Sequence, residues 1–290
     1  MPAEANAEQS EYWNRIAGPR WVRMQAGLDA QLDPLGAIAL ARAALRAGDR
    51  VVDVGCGCGA SSLRAAGQVG REGSVLGVDL SEPMLAHARE RAAAADVENV
   101  IFERADAQTH AFAANGADAI VSRFGVMFFS APEAAFANLR GALVPEGRLS
   151  FVCWQPIERN PWMAAPTAAA ARLLPMPAPP EPDAPGPFSF ADPERVRGIL
   201  AAAGFAEIRI DPHEDRLSVG GARTPEEAGE FLLGLGPVGR ALAEADADAA
   251  LRERVAAAVC ESMIPFTDAS GVHAPCAAWV VTARAPAAAR

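Results

Sequence analysis

The chain has 290 residues, 51% of them hydrophobic, with five cysteines and a formal net charge of −10 at pH 7. That length can bury a sizeable core, while no run reaches the roughly 18 apolar residues of a membrane span and an acidic chain with scattered basic residues is a poor partner for nucleic acid. All 26 basic residues are arginine and Tyr12 is the one tyrosine, which excludes lysine Schiff bases, lysine-anchored pyridoxal phosphate, P-loop nucleotide hydrolysis and a tyrosine–lysine dehydrogenase pair.

The start, "MPAEANAEQSEYW", is polar and acidic and lacks the basic start and apolar middle of a secretion signal, so a cytoplasmic location is expected. Residues 1–48 read as a helical cap segment: "EYWNRIAGPRWVRMQAGLDAQL", then "DPLGAIALARAAL", closed by Gly48. Short β-like runs follow at 50–55, 73–80, 99–106, 117–124 and 147–154, separated by the helical patterns "ASSLRAAGQV", "SEPMLAHARERAAAA" and "PEAAFANLRGALV". Strands alternating with helices imply parallel βαβ units, so 49–154 is expected to be the core of an α/β fold with a doubly wound sheet.

Residues 155–191 are proline-rich and break this rhythm, which reads as an insertion or lid. In 192–211 a helix is expected with Asp192 as N-cap, Pro193 at the first position and Gly204 as stop, leading into a strand at 205–211. Two helical patterns make 212–275 a helical insertion, and 276–290 supplies the last core strand and a tail. This brings the sheet to seven strands, mostly parallel. The odd cysteine count does not suggest a disulfide framework, and Cys56 and Cys58 lack the spacing of a metal site, so no metal is expected.

The stretch "RVVDVGCGCGASSL" carries the densest signal. Gly55 through Ala60 fit the dinucleotide pattern G-x-G-x-x-G/A, and Asp79 closes the next strand about 20 residues on, which alone supports an NAD-dependent oxidoreductase. Asp53 before the first glycine, Asp106 at the end of the third strand, and the sixth and seventh strands tilt the reading elsewhere.

"VVDVGCGCG", "VLGVDLSEPML", "ERADAQ", "ADAIVSRFGVMFF" and "LVPEGRLSFVCW" resemble, in order, the motifs of class I S-adenosylmethionine-dependent methyltransferases, nearest the ubiquinone and menaquinone biosynthesis branch. The resemblance covers roughly 45–155. It implies a Rossmann-like fold, S-adenosylmethionine as cofactor, and methyl transfer to an O, N or C nucleophile of a small-molecule acceptor. For the cofactor, Asp53 would place negative charge near its cation, and the bare backbone of Gly55, Gly57 and Gly59, with Cys56 between, would allow close approach. Asp79 would take the ribose hydroxyls, Leu80 and Met84 would flank adenine, and Asp106 with Ala107 matches the family's adenine position. Arg123 would anchor the cofactor carboxylate or an anionic acceptor, with a surface ion pair as the alternative. The acceptor would sit near Tyr12, Trp13, Trp21, Gln25, Phe124, Phe128, Trp154 and Trp162, and His110 is the candidate base. Two alternatives stay open beside an NAD enzyme: S-adenosylmethionine chemistry other than methyl transfer, and a binding module without turnover. A homodimer is left open as the assembly.

Overall fold

The computed structural model describes residues 6–178, 181 and 184–288. Helices α1 (Ala7–Tyr12), α2 (Gly18–Arg23) and α3 (Gln25–Ala43) come first, with a π-helical turn, Trp13–Ala17, between α1 and α2. The core follows as β1 (Arg50–Val54), α4 (Ala60–Val69), β2 (Ser74–Asp79), α5 (Glu82–Ala94), β3 (Val100–Arg104), β4 (Ala117–Arg123), α6 (Pro132–Ala142) and β5 (Leu143–Trp154). Beyond it lie α7 (Pro161–Ala170), α8 (Pro193–Ala202), β6 (Ala206–Ser218), α9 (Pro225–Leu233), α10 (Gly236–Glu244), α11 (Ala249–Met263), β7 (Thr267–Asp268) and β8 (Gly271–Arg284).

The strands are ordered β3-β2-β1-β4-β5-β8-β6, with short β7 pairing only with β8. β1 to β5 pair in parallel, and β8 runs antiparallel to both β5 and β6. The seven-stranded, mostly parallel sheet expected from the sequence is therefore present. Neighbouring residues of a strand point to opposite faces, and β5 shows what each face meets. The Ser150 hydroxyl donates to the Ala39 carbonyl of α3 at 2.7 Å, whereas Phe151 packs against Phe136 of α6. Helices α3 and α6 thus cover opposite faces, as a doubly wound sheet requires.

Several boundaries differ from those expected. α3 runs unbroken through Pro34, and the helical break falls at Met24 instead. Pro34 cannot donate its backbone hydrogen bond, but α3 buries Leu28, Leu32, Leu35, Ala39 and Leu40, and that apolar contact outweighs one lost bond. β6 continues to Ser218 rather than ending at 211, and β8 begins at Gly271 rather than 276, because the two pair along their length. The helical insertion is correspondingly shorter than 212–275. Pro212 is tolerated inside β6 because β6 is an edge strand, where an N–H can be spared.

Phe136 lies fully buried against Phe129, Phe151, Phe190 and Phe205. Phe136→Ala is expected to lower the unfolding free energy by about 3–5 kcal/mol, the scale for emptying an aromatic core position. Urea denaturation followed by far-ultraviolet circular dichroism measures it.

Candidate functional site

The sheet order reverses between β1 and β4, and open α/β sheets bind ligands at such a switch point, beyond the carboxyl ends of the strands. The two backbones leaving those strands touch there. Gly55 has φ +67°, and a Cβ on it would lie 2.6 Å from Gly125 Cα, so only glycine permits the crossing. The Gly55 and Cys56 N–H groups both donate to the Val78 carbonyl at the end of β2, at 2.9 and 3.1 Å. The turn is thereby fixed to two neighbouring strands.

A cleft enclosing about 900 Å³, its open mouth included, lies over this turn. Gly55, Cys56, Gly57 and Cys58 form its floor, Asp79, Leu80 and Met84 one side, and Asp106 and Ala107 the next. Trp13, Trp21, Phe124, Phe128 and Phe129 form an aromatic wall, with Asn6, Gln25, Leu28, Asp29 and Arg123 beside it. Trp13 meets Trp21 and Phe128 edge-on, at centroid distances of 5.5 and 5.3 Å.

The three expected acidic residues have different surroundings. Asp79 Oδ2 accepts from Gly57 N–H and Oδ1 from Ser81 N–H, both at 2.9 Å. A carboxylate has about four acceptor positions, so Asp79 can still take two hydroxyls. Asp106 Oδ1 accepts from Gln108 N–H at 2.9 Å, while its buried Oδ2 has no well-formed hydrogen bond, the Asn6 side chain being the donor near the carboxyl. Asp53 is fully buried below the floor and does not line the cleft. Its Oδ2 accepts from the Ser61 and Ser62 hydroxyls, each at 2.6 Å, which braces the first turn of α4. Burial raises all three carboxyls above the ordinary value; hydrogen bonds oppose the rise at each, and the Arg123 charge opposes it further at Asp53. Raised carboxylates facing a cleft favour a ligand that brings hydrogen-bond donors or positive charge.

Other expectations are corrected. Arg123 is no free anchor: its guanidinium reaches Asp33 at 2.7 Å and Asp29 at 3.3 Å, and Gly36 leaves the space for it to lie on α3. Nor is it the surface pair offered as the alternative, since its side chain is only 9% exposed. Asp29 is further held by Gln25 and by Arg91, at 2.9 Å, and Arg91 donates to the Cys58 carbonyl. Gln25, Asp29 and Asp33 recur every fourth residue on one face of α3, a spacing from which Asp29 could have been found. His110 lies outside the cleft, with Nδ1 3.7 Å from Glu103 and its ring against Phe112. Tyr12 is 44% exposed and also lies outside. Trp154 is buried in a stack on Phe124, and Trp162 is buried with its indole N–H donating to Asn160; neither lines the cleft. Gly59 caps α4 with φ +83° behind the floor. No described residue of the 155–191 insertion lines the cleft, because α7 packs against α11, α9, α10 and β8 instead.

Residues 51–147 match the family model described as a methyltransferase domain. Aklanonic acid methyltransferase DauC of Streptomyces sp. (strain C5) is 35% identical over 104 residues, covering 36% of this chain and 47% of that protein. Nocamycin O-methyltransferase of Saccharothrix syringae is 31% identical over 178 residues, covering 59% of this chain and 63% of that one. The matched part thus spans about half to three fifths of these relatives. Among solved structures, the YcgJ protein of Bacillus subtilis superimposes with a TM-score of 0.57 at 15% identity, covering 87% of this chain and 97% of its own. The [4+2]-cyclase SpnF does so with a TM-score of 0.54 at 23% identity, covering 88% and 82%. Both share the fold.

The raised Asp106 carboxyl makes a signed prediction without any ligand. A group whose folded value exceeds its unfolded value, about 3.9 for aspartate, stabilises the fold below that unfolded value, and the contribution is lost as pH rises through the folded value. Asp106→Asn should therefore raise the melting temperature relative to wild type at pH 7, and this advantage should shrink towards pH 4. Scanning calorimetry at the two pH values checks it; an advantage equal at both would contradict the assignment.

Proposed function

We propose that this chain, whose core belongs to the class I S-adenosylmethionine-dependent methyltransferases, moves a methyl group from S-adenosylmethionine to a nucleophile on a small, largely apolar acceptor. The observation that carries this reading is the buried Asp106 Oδ2, which no well-formed hydrogen bond meets although the Asn6 side chain lies within its reach, in a cleft that also holds Asp79 and the glycine turn. A buried acceptor left unpaired costs about 1–3 kcal/mol, and an exocyclic amino group would relieve it. Asp79 has room for a pair of hydroxyls, and Leu80 and Met84 offer apolar faces between the two acids. These residues suit a nucleoside, and when bound the cofactor supplies an activated methyl group on a sulfonium.

The remaining residues set how the acceptor would be presented. The wall built from Trp13, Trp21, Phe124, Phe128 and Phe129 suits a flat apolar molecule and keeps water from the reacting atoms. None of the four histidines lines the cleft. Asp29, the carboxylate on that wall, is engaged by Arg123, Arg91 and Gln25. The catalytic contribution proposed for the chain is therefore alignment and exclusion of water, with an acceptor whose nucleophile is free or readily ionised. Methylation of oxygen is the form favoured, by likeness to the relative named as an O-methyltransferase.

Titration calorimetry with S-adenosylhomocysteine tests the cofactor: binding is expected, with NADH binding undetectably, and the reverse order would sink the proposal. Asp79→Ala should weaken S-adenosylhomocysteine binding by about 1–3 kcal/mol, the cost of leaving its hydroxyls unpaired.

A further inference from the structure

The N-terminal segment contributes Asn6 and Trp13 to the cleft lining and is fastened at Asn6 and at Asn14. At one end Asn6 is nearly buried, lines the cleft, and accepts through Oδ1 from the Ser130 N–H at 3.1 Å. At the other end Asn14 makes a set of bonds that reach into a different part of the chain. Its Nδ2 donates to the Leu80 carbonyl at 2.8 Å as well as to Ser10 in its own helix at 2.6 Å. Its Oδ1 accepts from the Glu82 N–H at 3.0 Å, so Asn14 serves as the cap that α5 lacks, Ser81 making no side-chain cap bond at that helix end. The buried Ser81 hydroxyl instead donates to the Trp13 carbonyl at 2.9 Å.

The Asn14 and Ser81 bonds hold the first two residues of the π-helical turn Trp13–Ala17, and Trp13 places its indole in the cleft against Phe128. Such turns are rare and less stable than the α-helix, so this one needs fastening from outside. The segment continues helically into α2, and the ladder between them is weakest at Pro19. Pro19 has no N–H to continue the helical ladder, and α2 beyond it is tied elsewhere, by Arg20 to the Gly234 carbonyl at 3.1 Å. Leu80, the partner of Asn14, directly follows Asp79 and itself lines the cleft.

We infer that Asn14 is a positioning residue: it latches Asn6–Ala17 at the cleft on Leu80 and Glu82, holds Trp13 in place, and must release for a ligand to enter or leave. The ligand part of this inference rests on the nucleoside reading above; the latch does not.

Trypsin provides a test that needs no ligand, since the chain has only arginine for it to cut after and Arg15 lies within the latched segment. Under native conditions with fast reclosing, cutting follows the population of the open form. Asn14→Ala is expected to raise the rate of cutting after Arg15 about tenfold. Asn14→Asp, which keeps an acceptor for Glu82 but loses the donor to Leu80, should fall between Asn14→Ala and wild type. Cutting after Arg15 at the wild-type rate in both variants would overturn the latch, and so would equal acceleration at arginines throughout the chain, which reports general destabilisation. In stopped-flow tryptophan fluorescence, S-adenosylhomocysteine should leave Asn14→Ala about ten times faster than wild type. An unchanged dissociation rate would overturn the gating role. Failure of wild type to bind S-adenosylhomocysteine would remove the nucleoside reading and with it the ligand gating, while the trypsin comparison would still decide the latch.

Discussion

The site depends on the crossing of Gly55 and Gly125, where two backbones leave adjacent parallel strands in diverging directions and approach too closely for a side chain on either. Everything above that crossing is positioned by it. The Val78 carbonyl, taking two N–H groups from the turn, ties β2 to the same point, and the Gly57 N–H reaching Asp79 sets that carboxylate at the rim. Asp53 secures the turn from below through the serine pair at the start of α4. A floor in which glycines alternate with Cys56 and Cys58 is held by a ring of backbone and carboxylate bonds.

Around this floor the walls divide by chemistry. Ends of β2 and β3 contribute carboxylates whose ionisation is opposed by burial. The N-terminal helices and the loop after β4 contribute aromatic rings. Between the two, charges cancel locally: Arg123 and Arg91 meet Asp29, and Arg123 and Arg64 meet Asp33. Such pairing neutralises the α3 side of the cleft, and the uncompensated negative charge falls on the opposite rim, at Asp79 and Asp106. Polarity across a distance of one small molecule is what the floor and walls together produce.

How much of this the sequence revealed depends on the range of the interactions. The β1–turn–β2 unit is local, and its glycines, Asp79 and Asp106 lie where the motif order put them. Asp53 was located but its surroundings were not, because depth is a property of the assembled sheet, and its partners Ser61 and Ser62 carry no signal of their own. Trp154 and Trp162 show the same difficulty in reverse: an aromatic residue near a strand end reads alike whether it faces a cavity or, as here, stacks inside. Helix α3 passed through Pro34 because tertiary burial overrode a local breaker, which moved the break to Met24 and brought Gln25 and Asp29 into the wall. The capping of α5 by Asn14 joins positions 68 residues apart and is invisible to any local pattern.

Both outer margins of the sheet are blunted against further strand addition. On β6, Pro212 removes a donor from the margin and charged residues crowd the rest of the strand. On β3, the Arg89 guanidinium occupies the Phe102 carbonyl at 3.0 Å, taking up an acceptor that a neighbouring molecule would need. Sheet continuation from one copy to the next is thereby disfavoured despite the exposed Ile101 side chain on that margin. At both margins, then, addition of a strand from a second copy meets a missing donor or an occupied acceptor.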